Sequence, residues 1–147
     1  MTEFDGQLLR IAGAWRDLRR VKPRELSIPL PLGQIDTLDV MARLGPCSML
    51  ELSDALRIDA STATRAVEPL VKSGLVQRRR SERDARTVVV ELTREGRRTE
   101  HRLTAERLEN VDRVLATFDE HERSLLADLL ERMVAGSLAA SPDDESI

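Results

Sequence analysis

Arginine and hydroxyl side chains are concentrated in one stretch of this sequence, and their chemistry suits phosphates and the edges of nucleic-acid bases. Residues 57–102 contain 12 Arg or Lys and 7 Asp or Glu, a net charge of +5, whereas the rest of the chain has a net charge of −8. The overall charge of −3 therefore hides a basic module. A basic patch alone is often only a solvated surface. The positions of the individual residues are needed to distinguish such a surface from one that binds nucleic acid.

One group of these side chains falls on a predicted helix, residues 60–73. At about 100° per residue, small and aliphatic side chains gather on one side of this helix, and hydroxyl and charged side chains gather on the other. The polar side suits a DNA major groove, because Arg can pair with guanine and hydroxyl groups reach phosphates or bases. For an isolated helix, an ordinary solvated face is the simpler interpretation. The residues predicted to contact DNA here are Ser61, Thr62, Thr64, Arg65 and Lys72.

The second group lies in a predicted β-hairpin. Two β-rich runs, Leu75–Arg80 and Thr87–Leu92, flank a polar connection with the sequence SERDAR. A single hairpin is unusual in a chain of helices, and its arginines indicate that it contacts nucleic acid. Successive side chains of a strand alternate between faces, so Arg78, Arg79 and Arg80 cannot all serve one surface. One or two of them are assigned to phosphates, and the others are left solvated or paired.

Two helices are predicted before this module. The first is amphipathic, covers residues 5–20 and ends before Pro23, because the residue that precedes a proline disfavours helix. A connection that contains three prolines follows, and the second helix covers residues 34–44 and is closed by Gly45-Pro46.

Capping residues then predict a helix-turn-helix unit. Ser48 and Glu51 form a capping box that opens a short helix, and Asp59 caps the helix at residues 60–73. Gly74 suits the left-handed conformation that ends such a helix, and Pro69 is expected to bend or loosen its second half. Two short helices joined by a tight turn are typical of a helix-turn-helix unit.

Long helices are predicted after the hairpin. Thr93 is the expected N-cap of a helix whose apolar stripe continues to Phe118, and Asp119 with Glu122 predicts a break and a restart. The final helix and residues 8–18 carry more apolar surface than one small winged unit can cover, which predicts a two-fold homodimer. Residues 139–147 are predicted to form a disordered tail.

Composition excludes several classes of protein. No apolar run approaches the ~18 residues that span a membrane, and one cysteine fits a reducing compartment, so we expect a soluble, cytoplasmic protein. His101 and His121 have no second ligand at metal-binding spacing, and no catalytic constellation is present, so neither an enzyme nor a cofactor or metal is expected. Cys47 follows Gly45-Pro46, just before the Ser48 cap, and a helix N-terminus could lower the pKa of its thiol; redox sensing is the less favoured interpretation.

The order of elements, centred on LVKSGLVQRRRSERDARTVVVELTREG, resembles the MarR family of bacterial winged-helix regulators. The resemblance spans roughly residues 8–138, and its most specific part is the wing triplet Asp84-Ala85-Arg86 followed by Leu92-Thr93 and Gly96. It implies a mainly α fold with a small β-hairpin wing. The winged helix-turn-helix lobe covers residues 33–98, and the dimerisation helices are residues 5–20 and 99–138.

The same resemblance implies a dimeric transcriptional regulator that binds double-stranded DNA, in which each recognition helix enters a major groove and each wing reaches a minor groove. It implies that Arg86 enters the minor groove, that Asp84 holds the wing and that Arg83 assists. With the strand arginines, the predicted wing contacts are Arg78, Arg80, Arg83, Asp84 and Arg86. A surface ion pair between Asp84 and Arg86 is the simpler alternative.

Two further points remain open at the sequence level. Members of the family often bind small aromatic effectors, and Trp15, Arg19 and Met41 are plausible lining residues by position, although Trp15 and Met41 fit the core better. The alternative function is a winged-helix protein-interaction module that does not bind DNA.

Overall fold

The computed structural model describes residues 2–22 and 24–140 of the chain. Its helices are α1 (Glu3–Leu18), α2 (Leu32–Leu44), α3 (Met49–Leu56), α4 (Ala60–Lys72), α5 (Arg94–Val114) and α6 (Glu120–Ala140). The strands β1 (Val76–Arg80) and β2 (Val88–Leu92) pair antiparallel, with Val76 opposite Leu92 and Arg80 opposite Val88. The predicted fold class, mainly α with a β-hairpin wing, is confirmed.

Local capping chemistry sets most of the helix starts. Ser48 accepts from the N–H of Glu51 at 3.1 Å while the Glu51 carboxylate accepts from the N–H of Ser48 at 2.7 Å, which is the predicted capping box. Asp119 and Glu122 form the same reciprocal pair at the start of α6, with both hydrogen bonds at 2.9 Å. A third box, between Thr2 and Asp5, starts α1 two residues earlier than predicted.

The chain divides into two compact units, one up to Arg107 and the other from Leu108. The core of the first unit is formed by aliphatic side chains from α2, α3, α4, the hairpin and the first half of α5. Its fully enclosed members include Leu38, Met41, Leu52, Val67, Leu70, Val76, Val90 and Leu103. This core is what fixes the hairpin and α4 to one another.

The connection before α2 also belongs to the first unit. Leu26, Ile28 and Leu30 pack against the core, and the Ser27 N–H donates to the Glu106 carboxylate at 2.8 Å. The Ser27 hydroxyl donates to the same carboxylate, and together these bonds hold the pKa of Glu106 below its usual range. The middle of α5 is thereby anchored to the segment that leads into α2.

A close backbone approach anchors the hairpin to α5. The Thr93 N–H donates to the Leu75 carbonyl at 3.0 Å and the Thr93 hydroxyl donates to the Gly74 carbonyl at 2.6 Å. The Gly96 N–H donates to the Thr93 hydroxyl at 3.0 Å, so Thr93 is the N-cap that was predicted. Gly74 has φ +78°, the left-handed conformation expected of a helix-ending glycine.

The second unit consists of the end of α5, a turn and α6. α5 ends at Val114 and does not continue to Phe118, because a turn follows in which the N–H of Phe118 donates to the carbonyl of Leu115 at 2.9 Å. Arg123 stabilises this turn by donating to that same carbonyl at 2.9 Å and to Asp112 at 2.6 Å. α6 includes Ala139 and Ala140, which the sequence assigned to the tail, and residues 141–147 lie outside the described residues.

Candidate nucleic-acid interface

The turn between α3 and α4 brings the recognition helix to the surface. Arg57 adopts the left-handed conformation with φ 56° and closes α3, and the Ile58 N–H donates to the Ser53 carbonyl at 3.1 Å. α4 then buries Ala63, Val67 and Leu70 against the core. Since the helix repeats every 3.6 residues, its opposite face points outward.

The outward face of α4 carries the predicted contact residues. All five of them are exposed: Ser61, Thr62, Thr64, Arg65 and Lys72. The Arg65 guanidinium has no ion pair or hydrogen bond to any residue that the structure describes. Although Pro69 lies inside the helix, α4 extends to Lys72, and the Ser73 N–H donates to the Pro69 carbonyl at 3.0 Å.

Asp59 organises the start of this face. Its carboxylate accepts from the Thr62 N–H at 2.9 Å and from the Thr62 hydroxyl at 2.7 Å, and it also accepts from the Ser61 hydroxyl. The hydrogen bond from Ser61, together with those from Thr62, holds the pKa of Asp59 well below its usual range. The sequence identified Asp59 as a cap but not as the partner of both hydroxyl groups.

Two of the three strand arginines are neutralised by carboxylates. Arg78 pairs with Glu68, which extends from α4, and Arg79 donates to Glu91 of β2 at 2.8 Å. The hydrogen bond with Glu91 raises the pKa of Arg79 above its ordinary value. Glu68 was missed as a functional partner, since α4 and β1 meet only in the folded lobe.

The wing tip is held by its own main chain. Arg80 donates to the Ala85 carbonyl at 2.7 Å, and the Thr87 N–H donates to the Asp84 carbonyl at 2.9 Å. The Asp84 carboxylate accepts from the Arg86 N–H at 3.0 Å and from the Thr87 hydroxyl at 3.2 Å. Asp84 therefore organises the turn, as predicted for a residue that holds the wing.

The alternative interpretation of Asp84 and Arg86, a surface ion pair between their side chains, does not describe the structure. The carboxylate bonds to the Arg86 backbone, and within residues 2–22 and 24–140 the exposed guanidinium of Arg86 has no carboxylate partner. A main-chain donor two residues away suits a short aspartate better than a long, mobile guanidinium does. Arg83 is likewise exposed. Its main-chain N–H donates to the Ser81 hydroxyl at 3.2 Å, and its guanidinium has no partner in the described part of the chain.

The residues considered for an effector lie in different environments. Met41 is 1% exposed in the core, as favoured by the sequence, whereas Trp15 is 48% exposed because α1 buries no residue in a single chain. The core interpretation of Trp15 is therefore wrong for a single chain. Arg19, just after α1, is exposed as well.

Cys47 is a buried thiol that also shapes the wing. Its main chain bonds in both directions with Val90 of β2, at 3.1 and 2.8 Å, so residue 47 adds a third, one-residue strand to the hairpin. Burial, reinforced by the charge of Glu51, raises the pKa of the thiol and disfavours the reactive thiolate. The packing explains this cysteine without redox chemistry.

Residues 2–22 and 24–140 contain no group of three or more His, Cys, Asp and Glu side chains placed to hold a metal ion. Over the same ranges, no helix is both long and apolar enough to cross a membrane.

The fold and this surface define a winged helix-turn-helix protein. The model of the MarR family matches residues 28–87 of the chain. The HTH-type transcriptional regulator BilQ of Clostridium symbiosum is 37% identical over 87 residues, 59% of this chain and 60% of the relative. The chain spans about three fifths of the length of the first curated relatives it matches.

Solved structures show the same fold. A probable transcriptional regulator from Pseudomonas aeruginosa matches with a TM-score of 0.65 at 29% identity, over 87% of this chain and 95% of that chain. BpsR of Bordetella bronchiseptica, described in terms of the regulation of its DNA binding by 6-hydroxynicotinic acid, matches with a TM-score of 0.60 at 25% identity, over 90% of this chain and 99% of that chain.

Proposed function

We propose that this chain is a dimeric, sequence-specific DNA-binding transcriptional regulator that represses by occupying a pseudo-palindromic promoter site. The observation that carries the proposal is the set of uncompensated arginines. Arg65 on α4 and Arg83 and Arg86 on the wing are exposed without carboxylate partners in the described chain, whereas Arg78 and Arg79 between them are neutralised. Free guanidinium groups on a helix and on a neighbouring hairpin fit a major groove and the adjacent minor groove.

The two contact regions have different roles in this proposal. Ser61, Thr62, Thr64 and Arg65 read base edges from α4, and Lys72 contributes charge to the DNA backbone. Arg86 enters the minor groove, where a narrow A·T tract concentrates negative potential, and Arg83 assists. Asp84 acts by holding the turn, while Arg78 and Arg80 lie along the strand that leads to the tip.

Duplex binding as a function of salt tests this function. A library of genomic fragments would first supply a bound duplex, and fluorescence anisotropy would then measure its affinity and that of a scrambled duplex. Displacement of condensed counterions from six phosphates should weaken binding by about 10³-fold between 50 and 200 mM salt. Little binding to either duplex at any salt would contradict the proposal and favour a protein-interaction module.

The dimer is proposed from apolar surface that a single chain leaves open. No residue of α1 or α6 is buried, and both helices expose large apolar side chains. On α1 these are Phe4, Leu8, Leu9, Ile11, Trp15 and Leu18, and on α6 they are Leu125, Leu129, Leu130, Met133, Val134 and Leu138. Burial of two such stripes against a second copy is stabilised by the hydrophobic effect, at about 25 cal/mol per Å².

Light scattering at micromolar concentration should therefore give twice the chain mass of 16.5 kDa. Leu129→Glu should shift the mass towards the monomer, because it places a charge on the apolar face of α6. Leu50→Glu is the matched control, since Leu50 is an exposed leucine of the winged lobe. A wild-type monomer would contradict the dimer without affecting the assignment of the contact residues.

We extend the proposal to a small aromatic effector, the class of compound named for BpsR. Trp15 offers an exposed aromatic face and Arg19 an exposed cation for an aromatic acid. Met41 does not fit this role in the single chain, because it is enclosed by the core. Such an effector would release DNA only by binding the DNA-incompetent arrangement more tightly than the competent one.

A further inference from the structure

Three hydroxyl groups on the exposed face of α4 each contact a partner that can only accept a hydrogen bond. The Ser61 and Thr62 hydroxyls contact the Asp59 carboxylate, in the case of Thr62 at 2.7 Å. The Thr64 hydroxyl contacts the Ala60 carbonyl at 2.9 Å. A hydroxyl has one proton and two lone pairs, so each of these groups has committed its only proton inside the protein.

These internal hydrogen bonds determine which DNA groups the exposed face of α4 can bind. The hydroxyl oxygens of Ser61, Thr62 and Thr64 present lone pairs, and they have no proton left to donate. Phosphate oxygens are also acceptors, so they cannot bond to these hydroxyls while the internal bonds persist. In the major groove, the donors that remain are the exocyclic amino groups of adenine and cytosine.

The negative charge of Asp59 also favours base amino groups over phosphates at the start of α4. The first turn of a helix normally attracts phosphate through its free N–H groups, but the N–H of Thr62 is already bonded to Asp59 at 2.9 Å. A carboxylate at this position repels a phosphate and attracts the positive edge of an amino group. The start of α4 is thereby better suited to a base edge than to the DNA backbone.

We propose that Asp59 is a specificity-determining positioning residue, which orients the Ser61 and Thr62 hydroxyls as acceptors for the amino groups of adenine or cytosine in the major groove. The Thr64 hydroxyl is likewise left as an acceptor, because it donates its proton to the Ala60 carbonyl. Arg65 supplies the complementary donors for guanine. This inference rests on the proposed function and adds to it the kind of base edge that α4 recognises.

The test combines base analogues with side-chain variants. The duplex selected by the wild-type homodimer is resynthesised with single adenines or cytosines replaced by analogues that lack the exocyclic amino group. Loss of one amino group under α4 should weaken wild-type binding by about five- to tenfold, the size of one hydrogen bond. In the Ser61→Ala or Thr62→Val variant, the same replacement should have less than about twofold effect, because the acceptor is already absent.

Asp59→Asn tests the positioning role separately. Asparagine still accepts from the Thr62 N–H, but its amide then donates to the Thr62 hydroxyl and releases the proton of that hydroxyl. The penalty for a missing amino group that contacts Thr62 should shrink towards twofold in this variant. Asp119→Asn, the equivalent change at the cap of α6, is the control for cap stability and should leave the penalty unchanged.

Three results separate the possibilities. A second set of duplexes carries a neutral methylphosphonate in place of one phosphate. If the hydroxyl variants reduce the penalty for this replacement, and not the penalty for a missing amino group, the hydroxyls donate to phosphate and the inference is overturned. A reduction of neither penalty would also overturn it, while leaving the DNA-binding function intact. If no duplex is selected at all, the proposed function itself fails, and the assignment of the hydroxyls fails with it.

Discussion

Gly96→Ala is expected to destabilise the winged lobe by about 3 kcal/mol or more. A Cβ at residue 96 would lie 1.9 Å from the Leu75 carbonyl oxygen and 2.9 Å from the Leu75 carbonyl carbon. Both are main-chain atoms, so no side chain can rotate to make room. Separation of the two segments would break the bond from the Thr93 N–H to the same carbonyl, at 3.0 Å, and would release α5 from the hairpin.

Urea unfolding followed by circular dichroism measures this effect. Gly33→Ala, in the first turn of α2 and in the same lobe, is the matched control because nothing lies within 4 Å of a Cβ built there. That variant should gain a few tenths of a kcal/mol, since alanine restricts the unfolded chain more than glycine does. Equal stability of the two variants would contradict the close approach at Gly96.

The Gly96 contact explains why a short motif carries the resemblance to the MarR family. Thr93 must cap α5 and donate to the Gly74 carbonyl, and Gly96 must leave room for the Leu75 carbonyl. A single contact between the start of α5 and residues 74–75 therefore requires both residue types. Local rules also predicted two of the three capping boxes and the buried face of α4, because helix starts and helix faces depend on neighbours three or four residues away. These features required no knowledge of distant parts of the chain.

The features that escaped prediction depend on distant partners or on a choice between donors. The pair between Arg78 and Glu68 joins segments that meet only in the folded lobe. Asp84 had two candidate donors in the same residue, the N–H and the guanidinium of Arg86, and spacing alone could not choose between them. The exposure of Trp15 likewise reflects α1 in a single chain, which the apolar spacing of α1 does not reveal.

Arg86→Ala is expected to weaken binding to the selected duplex by about 1–3 kcal/mol, roughly a 5- to 150-fold loss. The reason is the exposed Arg86 guanidinium at the wing tip. It has no carboxylate partner among the described residues and can therefore enter a minor groove without first breaking an ion pair. Anisotropy titrations at physiological salt would measure the loss. Arg43→Ala removes the same charge from an exposed position outside the predicted contacts and should change the affinity little.

A double-variant cycle then separates contact from positioning at the wing. Asp84→Ala removes the acceptor that holds the Arg86 N–H at 3.0 Å, so it should weaken binding by loosening the turn that carries Arg86. If Asp84 acts only through Arg86, the double variant should bind about as well as Arg86→Ala alone, since positioning has no further effect once the guanidinium is gone. Additive losses would assign Asp84 a separate role in the turn. An Arg86→Ala protein with wild-type affinity would remove the wing from DNA recognition and leave the reading of sequence to α4.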